Sequence, residues 1–162
     1  MSAARKFDVR PAGVFSLALL AELHAACFTV AWTQCAIARL LALPGAFALL
    51  ACWQGEPAGF ALGHVTADEA ELWAIGVLAG RRRHGIADAL LTASLSRVRE
   101  AGAASLFLEV GERNAAALQL YLRRGFLSVG RRAAYYGHAG ASEAALVMRH
   151  TWPPPAATVR PG

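Results

Sequence analysis

Apolar residues recur along this chain first at helical spacing, then in short continuous runs, then at helical spacing again, and each change of period marks an element. Phe7-Asp-Val-Arg10 reads as a short opening strand ended by Pro11. Val14–Cys27 carries apolar residues at helical intervals, and Thr33–Leu41 is a shorter helical stretch that Thr33 can cap and Pro44-Gly45 stops. Phe47–Trp53, Ala58–Thr66 and Glu71–Val77 are three apolar runs separated by Gln54-Gly55-Glu56-Pro57 and Ala67-Asp68-Glu69, the pattern of an antiparallel meander. Ile86–Ala101 returns to the helical period, with Ile86, Leu90, Leu91, Leu95 and Val98 on one face and Gly102 at the end. Ser105–Val110 reads as a buried strand, Ala115–Arg124 as an Ala-rich helix closed by Gly125, and Phe126–Tyr135 with Ala144–His150 as a final hairpin. The predicted order is β-α-α-β-β-β-α-β-α-β-β, an α/β chain without internal repeats.

At 162 residues the chain fits one domain whose core stands without staples. The expected division is a single domain over 1–152 and a flexible tail over 153–162, where a Pro-rich run offers little to bury. A hydrophobic fraction of 56% and a mean hydropathy of +0.38 raise the question of a membrane span. The most apolar stretch, Leu40–Trp53, is interrupted by Pro44-Gly45 and falls short of the roughly 18 to 20 unbroken apolar residues a span requires. Arg5 and Lys6 followed by Val14–Ala21 imitate a secretion signal, but Asp8 and Arg10 break the approach and Glu22 and His24 follow at once. The expectation is a cytoplasmic protein with three reduced, buried cysteines, Cys27, Cys35 and Cys52, none of them a nucleophile.

The formal charge of +5 changes the picture more, because 15 of the 16 basic residues are arginine, whose planar fork grips phosphate at two points. Arg81-Arg82-Arg83-His84-Gly85-Ile86-Ala87 lies between a predicted strand and the start of a predicted helix. The first turn of a helix exposes unpaired N–H groups and the positive end of its dipole, and a glycine there lets a ligand approach the backbone, so a pyrophosphate fits. Neither a P-loop nor a dinucleotide fingerprint is present.

Arg82-Arg83-His84-Gly85-Ile86-Ala87 matches the [QR]-x-x-G-x-[GA] loop of the GNAT superfamily of N-acetyltransferases, and the chain resembles that family from Phe7 to His150. The resemblance is greatest to the bacterial ribosomal-protein-alanine N-acetyltransferases. It runs through Glu71-Leu-Trp-Ala-Ile-Gly-Val77, Leu106-Phe-Leu-Glu-Val110, Asn114-Ala-Ala-Ala117, Leu120-Tyr-Leu-Arg-Arg-Gly-Phe126 and Tyr135-Tyr136. It implies a mixed, mostly antiparallel twisted sheet with helices on both faces, and acetyl-CoA as co-substrate. It further implies a cofactor site made of Ile75, Gly76, Val77, Arg82, Arg83, His84, Gly85, Ile86, Ala87, Asp88 and Asn114, with the backbone of Ile75-Gly76-Val77 meeting the pantetheine arm as an added strand would. Gly76 and Leu78-Ala79 depart from the family's usual pattern after this strand, so the turn there is expected to be shaped differently.

Acetyl transfer to an amine needs a neutral amine, a polarised thioester carbonyl and a proton for the departing thiolate. Glu109 stands in an apolar strand, where burial would raise its pKa and suit it to act as a base; an exposed glutamate, or one paired with Arg113, is the competing reading. The resemblance gives Glu109 the amine proton, directly or through water, and Tyr121 the role of general acid toward the cofactor sulfur. Asn114 is expected to cap its helix and to contact the cofactor. Trp32, Tyr135 and Tyr136 fall where peptide-binding loops are expected, so the implied acceptor is the α-amine of a protein such as a ribosomal protein starting with alanine. A small-molecule amine acetyltransferase on the same scaffold is the alternative, and a pI near 9.7 with arginine runs at 81–83, 123–124 and 131–132 raises a nucleic-acid-binding module as another class. The five histidines are dispersed without a metal-type pair, so no metal is expected.

Overall fold

The computed structural model describes residues 6–134 and 143–152. Seven strands form one sheet in the order β1-β2-β3-β4-β5-β7-β6. They are β1 (Phe7–Ala12), β2 (Ala46–Trp53), β3 (Glu56–Thr66), β4 (Glu69–Val77), β5 (Ser105–Gly111), β6 (Leu127–Arg132) and β7 (Ala145–Thr151). Every pairing is antiparallel except β4 with β5. The helices are α1 (Leu17–Cys27), α2 (Gln34–Leu41), α3 (Ile86–Glu100) and α4 (Ala115–Arg123).

Both faces of the sheet are covered, and β2 shows how. Its run of apolar residues alternates sides: Phe47, Leu49 and Ala51 enter the core under α3 and α4, while Ala48, Leu50 and Cys52 enter the core under α1 and α2. A strand buried on both faces has no polar alternation, which is why this run reads as continuous hydrophobicity. On α3 the buried stripe is Ile86, Leu90, Leu91, Ser94 and Val98, and the Ser94 hydroxyl donates to the Leu90 carbonyl at 2.8 Å. The predicted element order is the observed one, with differences at the edges. β1 runs through Pro11 to Ala12, since an edge strand tolerates a missing N–H. Val14–Cys27 divides into a 3₁₀ turn, Val14–Ser16, followed by α1. Cys35 is exposed rather than buried, while Cys52 is buried and Cys27 intermediate; all three are free thiols.

The feature that positions the site lies between β4 and β5. The two strands pair only over Glu69–Leu72 and Ser105–Leu108. Opposite β3, Leu62 pairs with Ala74 and Gly63 with Leu72, so Trp73 is an extra residue that bends β4. Beyond the bulge the strands part, and the ends of β4 and β5 open a cleft through the sheet. β7 then takes the place beside β5 and carries β6 on its outer edge. Among the described residues, no helix is long and apolar enough to cross a membrane. Tyr135, Tyr136 and the expected tail from 153 lie outside the described residues.

Candidate active site

Two cavities flank the cleft. One, of about 670 Å³, lies between the end of β4, the start of α3 and α4; it is lined by Ile75, Gly76, Val77, Arg82, Arg83, Gly85, Ile86, Ala87, Asp88 and Asn114, together with Tyr121. The other, of about 560 Å³, lies on the α1–α2 side and is lined by Glu109 and Trp32, with Glu69, Glu71 and Trp73 of β4 and Arg132 of β6. Residues grouped from sequence as cofactor-binding thus share the first cavity, with one exception. His84 is exposed and packs its ring against Trp53 at 4.6 Å, outside the cavity, because the turn of Arg83 into positive φ (67°) carries the next side chain away.

The first cavity fits a phosphate-bearing ligand. Gly85 caps α3 with φ +83°, and a Cβ built there would meet nothing within 4 Å, so the backbone at the helix start faces open space. The N–H groups of the first turn and the dipole's positive end point to the same space. Arg81, Arg83 and Arg123 add charge; Arg82 lines the cavity while its Nε donates back to the Val77 carbonyl at 3.3 Å, tying the loop to the end of β4. Asp88 does not cancel that charge freely, because Arg124 grips its carboxylate with two nitrogens and holds it below the usual carboxylate range. This pair also locks the first turn of α3 to the end of α4. Gly76 serves packing: a Cβ there would come within 2.9 Å of both Cys27 Cβ and Phe60 Cε1.

Tyr121 is 5% exposed, and burial pushes its pKa up to about 12. It is fully protonated at neutral pH and able to donate. Asn114 caps α4, its Oδ1 accepting from the Ala117 N–H at 3.2 Å, and faces the same cavity. Glu109 is where the sequence reading needs correction. Its side chain is 43% exposed and pairs with Arg132 at 2.9 Å, not with Arg113, so the carboxylate is not buried in an apolar strand. The physical reason is strand alternation: Leu108 and Val110 take the core face of β5 and Glu109 the open one.

Sequence reasoning missed the acidic wall of the second cavity as a unit. Glu69, Glu71 and Glu109 come from two strands and converge only because β4 and β5 are parallel neighbours. Glu71 also accepts from Trp73 Nε1 at 3.3 Å, and His64 stacks on the Trp73 ring at 5.2 Å, which fixes that wall. Two nearby acids are engaged elsewhere, Glu112 with Arg131 and Glu143 with the Arg113 backbone N–H. The arginine runs are likewise absorbed. Arg81–Arg83 and Arg123 line the first cavity, Arg124 holds Asp88, and Arg131 and Arg132 hold Glu112 and Glu109. Among the described residues, no group of three or more His, Cys, Asp or Glu is arranged to hold a metal ion.

This architecture and loop agree with a family match. The chain matches the acetyltransferase (GNAT) family over residues 17–126. The chain belongs to that family, and its sheet and helices are the family's fold. It is 38% identical over 94 residues to the [ribosomal protein bS18]-alanine N-acetyltransferase of Escherichia coli K12, a match spanning 58% of this chain and 64% of that relative. Among solved structures it resembles the ribosomal-protein-S18-alanine N-acetyltransferase from Escherichia coli, with a TM-score of 0.85 and 25% identity over 95% of this chain and 99% of that one. It also resembles Ard1 from Thermoplasma volcanium, with a TM-score of 0.79 and 25% identity over 90% and 97% of the two chains.

Proposed function

We propose that this protein is an acetyl-CoA-dependent N-acetyltransferase acting on the N-terminal α-amine of a protein, with a ribosomal protein starting with alanine as the leading acceptor. The observation that carries the reading is the pair of neighbouring cavities at the parted ends of β4 and β5. Tyr121 lies in the cavity suited to a phosphate-bearing donor, and Glu109 in the acidic cavity suited to an amine. In this reading the start of α3 and its arginines hold the pyrophosphate of acetyl-CoA. The backbone of β4 past the bulge, which no longer pairs with β5, receives the pantetheine arm.

Glu109 receives the proton of the incoming ammonium, directly or through water, and Arg132 keeps the carboxylate aimed at the cavity. The amine nitrogen forms a bond to the acetyl carbonyl carbon and releases its surplus proton to solvent, the C–S bond breaks, and the electron pair leaves with sulfur. Tyr121 donates to that thiolate; with its pKa near 12 it acts chiefly by hydrogen bonding to the developing charge, proton delivery following as the thiol forms. The named activities of the relatives and three free cysteines support a cytoplasmic enzyme of this kind.

The test is calorimetric titration with acetyl-CoA, followed by thiol release on adding a short alanine-starting peptide. Glu109→Gln and Tyr121→Phe should retain acetyl-CoA binding and lower kcat by about 10²- to 10⁴-fold. Binding without turnover of any peptide would move the acceptor to small amines such as polyamines, and absence of binding would remove the reading altogether.

A further inference from the structure

The connection from α1 to α2 contributes one wall to each cavity. Phe28 borders the cavity assigned to the donor and Trp32 the cavity assigned to the acceptor. Between them sits His24, 2% exposed on the last turn of α1. Its ring stacks on Phe28 at 4.5 Å and 20° and on Trp32 at 4.5 Å and 18°, so the imidazole is sandwiched between the two wall residues. Phe60 closes the sandwich at 5.8 Å, and Phe60 itself lies so close to Gly76 that a Cβ there would not fit. The stack therefore rests on the end of β4.

Hydrogen bonding fixes the same segment. The His24 carbonyl accepts from the Phe28 N–H at 2.9 Å, and His24 Nδ1 accepts from the Trp32 N–H at 3.1 Å. An accepting Nδ1 carries no proton, so the ring is neutral with its proton on Nε2. Burial, which lowers the pKa of this histidine, favours that neutral form. Among the described residues, no other side chain is hydrogen-bonded to the Trp32 amide. A ring that only filled space would not need a nitrogen there, and phenylalanine or leucine would fill this apolar core at lower desolvation cost.

We propose that His24 is a positioning residue for acetyl transfer, a peg that holds Phe28 against the donor cavity and Trp32 against the acceptor cavity, and so sets the acceptor's line of approach to the thioester. The proposal rests on the assignment of the two cavities given above. Because the Nδ1 bond reaches Trp32 and not Phe28, its loss falls mainly on the acceptor.

Two variants separate the parts of the peg. His24→Phe keeps a flat ring in the stack and removes the acceptor; His24→Asn restores an acceptor oxygen near the Nδ1 position and removes the ring. In steady-state kinetics with acetyl-CoA and an alanine-starting peptide, His24→Phe should raise KM for the peptide about tenfold, as expected for the loss of one half-buried hydrogen bond, with kcat within about threefold of wild type. His24→Asn should recover part of that KM.

Amide hydrogen exchange reads the peg without turnover: the Trp32 N–H should be protected in wild type, exchange about tenfold faster in His24→Phe, and regain protection in His24→Asn. A Trp32 amide that exchanges in wild type as fast as those of Val30 and Ala31, or one equally protected in His24→Phe, would overturn the proposal. An unchanged peptide KM with a lowered kcat would do the same. Failure of the protein to turn over any amine while these exchange rates behave as stated would count against the assigned activity and leave the peg standing.

Discussion

Tyr121 illustrates how one side chain can serve both packing and chemistry. Its ring belongs to the core under α3 and α4, against Phe126 at 5.6 Å, while the residue also lines the cavity proposed for the donor. Burial disfavours the phenolate and pushes the pKa up to about 12. The sign for stability follows. The folded protein keeps a proton that the unfolded chain releases from about pH 10 upward, so this contribution is whole below that pH and is lost as pH climbs toward 12. Phenolate absorbance of the folded protein at about pH 11 should therefore fall one phenol short of the denaturant-unfolded chain, and Tyr121→Phe should abolish the difference. Equal absorbance in folded and unfolded wild type would show that Tyr121 is not desolvated as described.

Elements were more legible in this chain than the cleft between them. The helical period of α3, the caps at Thr33 and Asn114, and the apolar run of β2 as a strand follow from local patterns, and the structure confirms each, with the Thr33 hydroxyl accepting from the Ala36 N–H at 3.1 Å. The Trp73 bulge and the parting of β4 from β5 left no such signal, because pairing register depends on partners distant in sequence. For a related reason the sequence leaves Glu109 open between a buried base and an exposed glutamate. An apolar strand of five residues does not say which face looks into an opening that only the bulge creates. The loop at α3 was legible because its physics is local, and Gly85 tests it. Alanine there meets no atom within 4 Å but is strained at φ +83°, at a cost of about 1–2 kcal/mol and a Tm lower by about 2–8 °C. The added methyl also projects where the pyrophosphate is proposed to lie. Acetyl-CoA affinity of Gly85→Ala should fall at least about tenfold in calorimetry, well beyond what a change confined to folding would produce in a protein still folded at 25 °C. Unchanged affinity would place the donor elsewhere.

At the scale of the whole molecule, the net charge of +5 conceals a division across the sheet. Arginines of the α3 loop and Arg123 line the cavity proposed for the donor, whereas Glu69, Glu71 and Glu109 line the one proposed for the acceptor, with Arg132 as the single cation among the described residues lining it. A like-charged donor and acceptor wall would draw both substrates to one side; opposite walls sort an anionic thioester from a cationic amine before either docks. This sorting extends beyond the reacting nitrogen, because Glu69 and Glu71 lie on β4 and Glu109 on β5, leaving carboxylates for further positive charges on the acceptor. Peptides carrying arginine or lysine after the N-terminal alanine should therefore have a lower KM than neutral peptides of the same length, and the advantage should shrink as salt rises. Exposed charge pairs contribute about 0.2–1 kcal/mol each, so Glu69→Gln with Glu71→Gln should raise KM for the basic peptide about 3- to 10-fold and leave the neutral peptide unchanged. Glutamine at 71 can still accept from Trp73 Nε1, so the wall keeps its shape and the comparison isolates charge. Equal effects on both peptides would mean that the glutamates shape the cavity without selecting its occupant.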